Sequence, residues 1–277
     1  MVKAKRGYVF ASALISAIAV GLSLVSLTTE QWVVAQGELG SAANEQLSQI
    51  KYGLFSGVYV QQLSGIQYFA IYATCLISKN VCAYLCSPTS EMRLQELKML
   101  YRNEKPQFSC IAIPKKNKVI YDVPSGGGQD NTEFIKASYY ISTIIFLVMS
   151  IIFGFISAIL SMWNTVGNPA VIFGIYAIYI YNTIACISTT MVLIVWGALF
   201  GSHIVKNVGI SDTITGYMST SGLTNLGFSY WLLLPSTFLY ASSIFVLYLR
   251  HYFVSEKPQV KLRADSDDAD ARDMMIF

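Results

Sequence analysis

Charge is what this sequence has least of. Only 13% of its 277 residues are Asp, Glu, Lys or Arg, against about 25% in an ordinary soluble domain. The deficit is concentrated. No charged side chain occurs from Gly7 to Thr29, from Ala137 to Val205 or from Thr213 to Leu249, windows of 23, 69 and 37 residues. A helix crosses a bilayer with about 20. With 54% hydrophobic residues and a mean hydropathy of +0.49, a cytosolic enzyme, a nucleic-acid binder and a disordered chain are all excluded. Chemistry is scarce as well. There are 2 histidines and no GxSxG, HExxH or phosphate-binding glycine pattern, so no catalytic, metal or cofactor residues are expected. The long loops carry no Asn-x-Ser/Thr sequon.

What is present is a membrane α-helical protein, a bundle of four transmembrane helices with a small, disulfide-linked, β-rich extracellular domain. Helix one covers 7–29. The charge-free stretch after residue 136 is too long for one helix and too short for three. Asn164 to Pro169 breaks it, since turn formers precede a proline able to open a helix. Helix two is therefore 137–163, the turn 164–168 and helix three 169–200. Residues 201–227, rich in Gly, Ser and Thr, are a second loop, and helix four is 228–249. The basic residues Lys3, Lys5 and Arg6 in segment 1–6, with Arg250, Lys257, Lys261 and Arg263 in the tail 250–277, put both termini in the cytoplasm. Loop 30–136 carries ten basic residues but exceeds the ~60 over which the charge rule operates. The other reading of helix one is a signal peptide cleaved after Val33-Val34-Ala35. Its apolar run is longer than the 7–15 residues of a signal core.

Helices associate in lipid through small residues. Ala13, Ala17 and Gly21 predict a seam on helix one, and Gly154, Ser157, Ala158 and Ser161 one on helix two. Tyr176, Tyr179, Tyr181 and Asn182 predict interfacial aromatics and hydrogen bonds inside the bundle. The spans hold no ionisable residue of the kind that marks transporters, proton relays and voltage sensors.

Loop 30–136 is long enough to fold. Period-2 patterns predict strands at 31–38, 52–61, 68–77, 108–113 and 118–123, the last two joined by a turn at Pro114–Asn117. Residues 89–102 predict a helix with a Ser or Thr N-cap and Leu94, Leu97 and Tyr101 on one face. Cys75, Cys82, Cys86 and Cys110 share this loop, an even count in an oxidising compartment. Two disulfides are expected, in any of three pairings. Zinc is the alternative, without a histidine or a CxxC to support it, and free thiols are a third. Cys186 falls within helix three as an inert packing residue.

Trp32 after helix one, followed by Lys51-Tyr52-Gly53-Leu54-Phe55-Ser56-Gly57, resembles the W…GLW signature of the claudin-type tetraspan superfamily. Tyr52, Gly53, Leu54, Phe55 and Gly57 are closer to its clarin branch. Met162 to Pro169, with Asn164 and Pro169, is similar to the clarin turn between helices two and three, and Tyr230-Trp231 opening helix four is a weaker third point. The resemblance covers the bundle and the start of the first loop. It implies a non-enzymatic plasma-membrane organiser linked to actin-rich sensory protrusions, synapses and trafficking of other membrane proteins. Its partners would be the lipid bilayer, those membrane proteins and a second copy of itself. A claudin-like cell–cell junction protein is the alternative, and endosomal or endoplasmic reticulum residence is open. From the residues alone, Gly53 and Gly57 are tight-turn positions and Leu54 and Phe55 anchor the loop to the bundle.

The tail runs through the acidic stretch 265–270, expected to be unfolded, and ends in Met274, Met275, Ile276 and Phe277. Hydrophobic residues at the last and third-last positions suit a PDZ domain, which captures a C-terminal carboxylate at a sheet edge. A trafficking signal, membrane contact or no role are the other readings.

Overall fold

The computed structural model describes residues 2–39, 47–62, 65–104, 110, 133–167 and 174–255. Four helices are long and apolar enough to cross a membrane, over Arg6–Thr28, Ala137–Val166, Ile175–Ile204 and Phe228–Phe253. The full elements are α1 (Val2–Thr28), α3 (Ala137–Val166), α4 (Ile175–Leu199, continued by a π-helical turn Phe200–Ile204) and α7 (Leu233–Ser255), the last preceded by a short α6 (Phe228–Trp231). Asn164 to Val166 are still helical, so the break after helix two falls later than 163. Pro169 lies outside the described residues.

Each long helix buries a repeating stripe. On α1 it is Val9, Ser12, Ser16, Ala19, Ser23 and Ser26; on α4, Ile178, Asn182, Ala185, Thr189, Val192 and Trp196; on α7, Leu233, Ser236, Tyr240, Ser243 and Leu247. Steps of three and four average 3.5 residues, the repeat of left-handed helix bundles. The expected seam at Ala13, Ala17 and Gly21 is therefore wrong in part. Ala13 is buried, but Ala17 and Gly21 are exposed, and a Cβ added to Gly21 meets nothing. A four-residue step overshoots a 3.6-residue turn by about 40°, so that row drifts off the stripe. Serines hold the seam because lipid offers a hydroxyl no partner. On α3 the expected Gly154, Ser157, Ala158 and Ser161 are all buried.

Two compact units divide the chain. One comprises Met1–Gly21, Ser150–Ile187 and Ser236–Phe277. Its interior is mixed. Val9, Leu160, Ile178 and Leu247 form one apolar cluster, and Ala19, Val20, Ala185 and Tyr240 another. Beside them the Ser12 and Ser243 hydroxyls lie 2.8 Å apart, Ser16 donates to Asn182 Oδ1 at 2.9 Å and Ser236 to the Ala19 carbonyl at 2.9 Å. Tyr181 stacks on Phe153, whereas Tyr176 is exposed. Gly154 is obligatory, since a Cβ there would strike Val20 and the Tyr240 ring. Interhelical hydrogen bonds in membranes average about 0.6 kcal/mol. Asn182→Ala, which removes the acceptor for Ser16, is thus expected to lower stability by less than about 1.7 kcal/mol. Thermal unfolding in detergent checks this, with Ser16→Ala costing less in the Asn182→Ala background than alone, where only its 3.0 Å contact with the Ser243 hydroxyl is left to lose.

The other unit, Leu22–Met149 with Ser188–Pro235, contains an antiparallel sheet. Its strands are β1 (Val33–Leu39), β2 (Leu47–Tyr52), β3 (Ser56–Gln62), β4 (Ile66–Leu76), β5 (Val81–Leu85), β6 (Ile135–Lys136), β7 (Met218–Ser219) and β8 (Thr224–Leu226). The order is β6-β5-β4-β3-β2-β1-β7, with β8 also on β1. Helix α2 (Ser90–Tyr101) starts at Thr89, whose side chain accepts from the Met92 amide, the expected cap. Leu97 and Leu100 pack on Val81, Ala83 and Leu85 of β5, with Tyr101 partly buried against them.

Four expectations are corrected in this unit. The strand placed at 52–61 is two strands, because Gly53 donates to the Ser56 carbonyl at 2.8 Å and closes a turn between them. β5 was not expected at all, and of β2 only its last residue, Tyr52, was. The buried face of α2 is Glu96, Leu97 and Leu100 rather than Leu94. Residues 201–227 are not a plain loop: they hold α5 (Ser211–Ile214) and the strands β7 and β8 that extend the sheet. The strand at 118–123 and the turn Pro114–Asn117 lie outside the described residues, as does all of 108–113 except Cys110.

Candidate functional site

The disulfides resolve the three possible pairings. Cys75 faces Cys82 across β4 and β5 with Cα atoms 4.1 Å apart, and Cys86 joins Cys110 at 5.3 Å. Zinc and free thiols are thereby set aside for these four residues. Cys186 is outside both bonds, its Sγ 3.9 Å from the Thr237 carbonyl.

The motif residues converge on one hub. Trp32 is wholly buried. Its ring meets Trp196 edge-on at 5.0 Å and Tyr230 at 6.4 Å, and its Nε1 donates to the Ser26 carbonyl at 2.7 Å. Its backbone bridges the loops: the amide donates to the Tyr52 carbonyl, and the carbonyl accepts from Gly227, both at 2.9 Å. Tyr52 stacks on Tyr84 at 4.0 Å and donates to the Val208 carbonyl at 3.1 Å.

The turn after Tyr52 is pinned by hydroxyls. Tyr84 donates to the Gly53 carbonyl at 2.7 Å and Tyr140 to the Leu54 carbonyl. Burial raises the Tyr52 and Tyr84 hydroxyls well above the ordinary phenol range, so both remain donors at any physiological pH. Gly53 and Gly57 are required by close approach. A Cβ at Gly53 would strike the Thr29 carbonyl, and one at Gly57 the Lys51 carbonyl and Tyr52. Leu54 is buried as expected of an anchor. Phe55 is not: 52% exposed, it points to the surface while its carbonyl accepts from Ala73.

Trp32, Tyr52, Gly53, Leu54 and Gly57 are thus brought together in one unit. Asn164 belongs to the other, where its side-chain amide donates to the Leu160 carbonyl at 2.8 Å. Met275, Ile276 and Phe277 are outside the described residues. Sequence reasoning missed Tyr84, Tyr140 and Trp196; the signal was three amphipathic aromatics in otherwise apolar runs, each with a polar tip that burial must satisfy.

A shallow recess of about 430 Å³ is lined by Thr29, Glu30, Gln31, Lys51, Val58 and Phe228, and Ser56 donates to Glu30 at its edge. Among the described residues no three His, Cys, Asp or Glu side chains converge in a way that could hold a metal. The hub ties the two loops together through backbone carbonyls and buried rings. The chain matches no family model and no curated protein.

Proposed function

We propose that the protein is a clarin-like, non-enzymatic membrane organiser of claudin-type fold. Four spans would carry one extracytoplasmic domain built from both long loops, and the termini would be cytosolic. The observation that supports this reading is the Trp32 hub, because it places the residues that resemble the clarin motif at the joint between the loops. A rigid domain of that kind suits lateral recognition of other membrane proteins rather than turnover of a substrate. The proposed role is to support plasma-membrane protrusions or synapses and the delivery of partner membrane proteins.

A second reading, adhesion at a cell–cell junction, is favoured by Ile66 and Tyr68, two residues apart on β4 and 63% and 71% exposed. Scattered apolar side chains are ordinary, whereas neighbouring ones on β4 invite a partner. Tagging the endogenous protein in a polarised tissue separates the two. An organiser is expected in protrusions or vesicles, and its loss lowers surface levels of co-purifying membrane proteins. Concentration at cell contacts, with altered barrier permeability on loss, supports the junction reading and defeats the first.

A further inference from the structure

Two carboxylates are buried where the loops meet. Glu96 lies on α2 of the first loop and Asp212 on α5 of the second, 1% and 3% exposed. Ser87 donates to Glu96 Oε2 at 2.7 Å. Glu96 Oε1 and Asp212 Oδ2 lack a hydrogen bond of ordinary geometry, and the wholly buried Ser211 hydroxyl lies beside Glu96. Asp212 feels the field of Glu96, and Ile214, two residues on in α5, packs in one apolar cluster with Leu97 and Leu100 of α2.

No cation compensates them among the described residues. Arg93, one turn away on α2, donates to the Ser87 and Pro88 carbonyls and lies over the Tyr72 ring of β4. Lys98 and Glu91 on the same helix are exposed. The remaining titratable groups facing the pair are phenols. Tyr59 of β3 reaches Asp212, with Tyr217 near it, and Tyr84 of β5 is committed to Gly53. β7, which also packs on α5, has no titratable residue.

A charged carboxylate is costly in such a place, and two like charges are worse. Protonation is the remaining compensation. We propose that the buried Glu96–Asp212 pair is a proton-sensitive latch between the two loops, tightest when both are protonated and loosened as they ionise. Burial first, and the Glu96 charge second, push the Asp212 carboxyl up from 3.8 to about 6; burial also raises Glu96 against the opposing Ser87 and Ser211 hydroxyls. A carboxyl raised on folding favours the folded state in acid and loses that contribution as pH rises through about 6. The latch therefore tightens on acidification, the reverse of an ordinary salt bridge.

Amide hydrogen exchange on the full chain in lipid nanodiscs tests this, with rates corrected for intrinsic pH dependence. For the shift above, opening of α5 and α2 is expected to be about tenfold more frequent at pH 7.4 than at pH 5.0. Asp212→Asn, a neutral isostere, should remove most of the ratio, leaving only what the raised Glu96 carboxyl contributes. Glu96→Gln, which leaves Asp212 without its like charge, should shrink the ratio without abolishing it. His203→Gln should leave the ratio intact. Equal protection at both pH values in the unaltered protein would overturn the proposal whatever the variants do. So would an undiminished ratio in Asp212→Asn or its disappearance in His203→Gln.

Discussion

Replacing Trp32 with alanine is expected to destabilise the sheet-containing unit by about 3–5 kcal/mol, the range for emptying a tryptophan site. Such a loss is a large share of the ~5–15 kcal/mol that holds an ordinary domain together. The ring is fully buried against Trp196 and Tyr230, and its removal also leaves the Ser26 carbonyl without the indole donor. Two milder changes separate packing from hydrogen bonding. Trp32→Phe retains most of the volume and forfeits the Nε1 bond, about 1 kcal/mol in addition to the packing change. At Trp196 the buried Nε1 has no partner to lose, so Trp196→Phe should be the better tolerated of the two. The check is the monodisperse fraction and the melting temperature of each variant in detergent. Trp196→Phe proving worse than Trp32→Phe would contradict the roles assigned here.

Removing the Cys86–Cys110 bond by a double serine substitution is expected to cost more than removing Cys75–Cys82. The bonds join residues 24 and 7 positions apart. Loop-closure entropy then assigns about 3.5 kcal/mol to the first and about 2.5 to the second. The longer bond ties the end of β5 to a residue beyond α2, so it frames the whole helix. The shorter one staples two strands already paired by their backbones. Thermal unfolding under non-reducing conditions gives the ranking. Equal melting temperatures for the two double variants would show that chain entropy is not what these bonds supply.

The four helices long and apolar enough to cross a membrane were legible because charge is excluded from lipid: the windows after Lys5-Arg6, Lys136 and Asp212 contain nearly all of each. Seam positions on α1 were harder. Ala13, Ala17 and Gly21 look like a small-residue row, yet the buried stripe carries Ser12, Ser16, Ser23 and Ser26, and only counting serines at steps of three and four exposes it. In the first loop, Thr89 announced α2 through its capping chemistry. β5 was missed because Val81 to Leu85 is buried at every position and so lacks the alternation of a half-exposed strand. β7 and β8, of 2 and 3 residues, are too short to carry any period and form because β1 offers them a template. The glycines of the motif were legible as turns, but the tyrosine hydroxyls that pin them come from β5 and α3, far away in sequence. Glu96 and Asp212 gave no signal, since a lone carboxylate reads as solvent-facing.

The most direct test of the central claim, four spans with both loops on one side and both termini on the other, is glycosylation mapping. The chain contains no Asn-x-Ser/Thr sequon, so the background is clean. Single acceptors would be introduced in the first loop, the second loop, the turn after α3 and the tail after α7. The account predicts a glycosidase-sensitive mass increase for the two loop acceptors and none for the turn or the tail. Modification of the tail or turn, or a first and second loop that differ from one another, would contradict it.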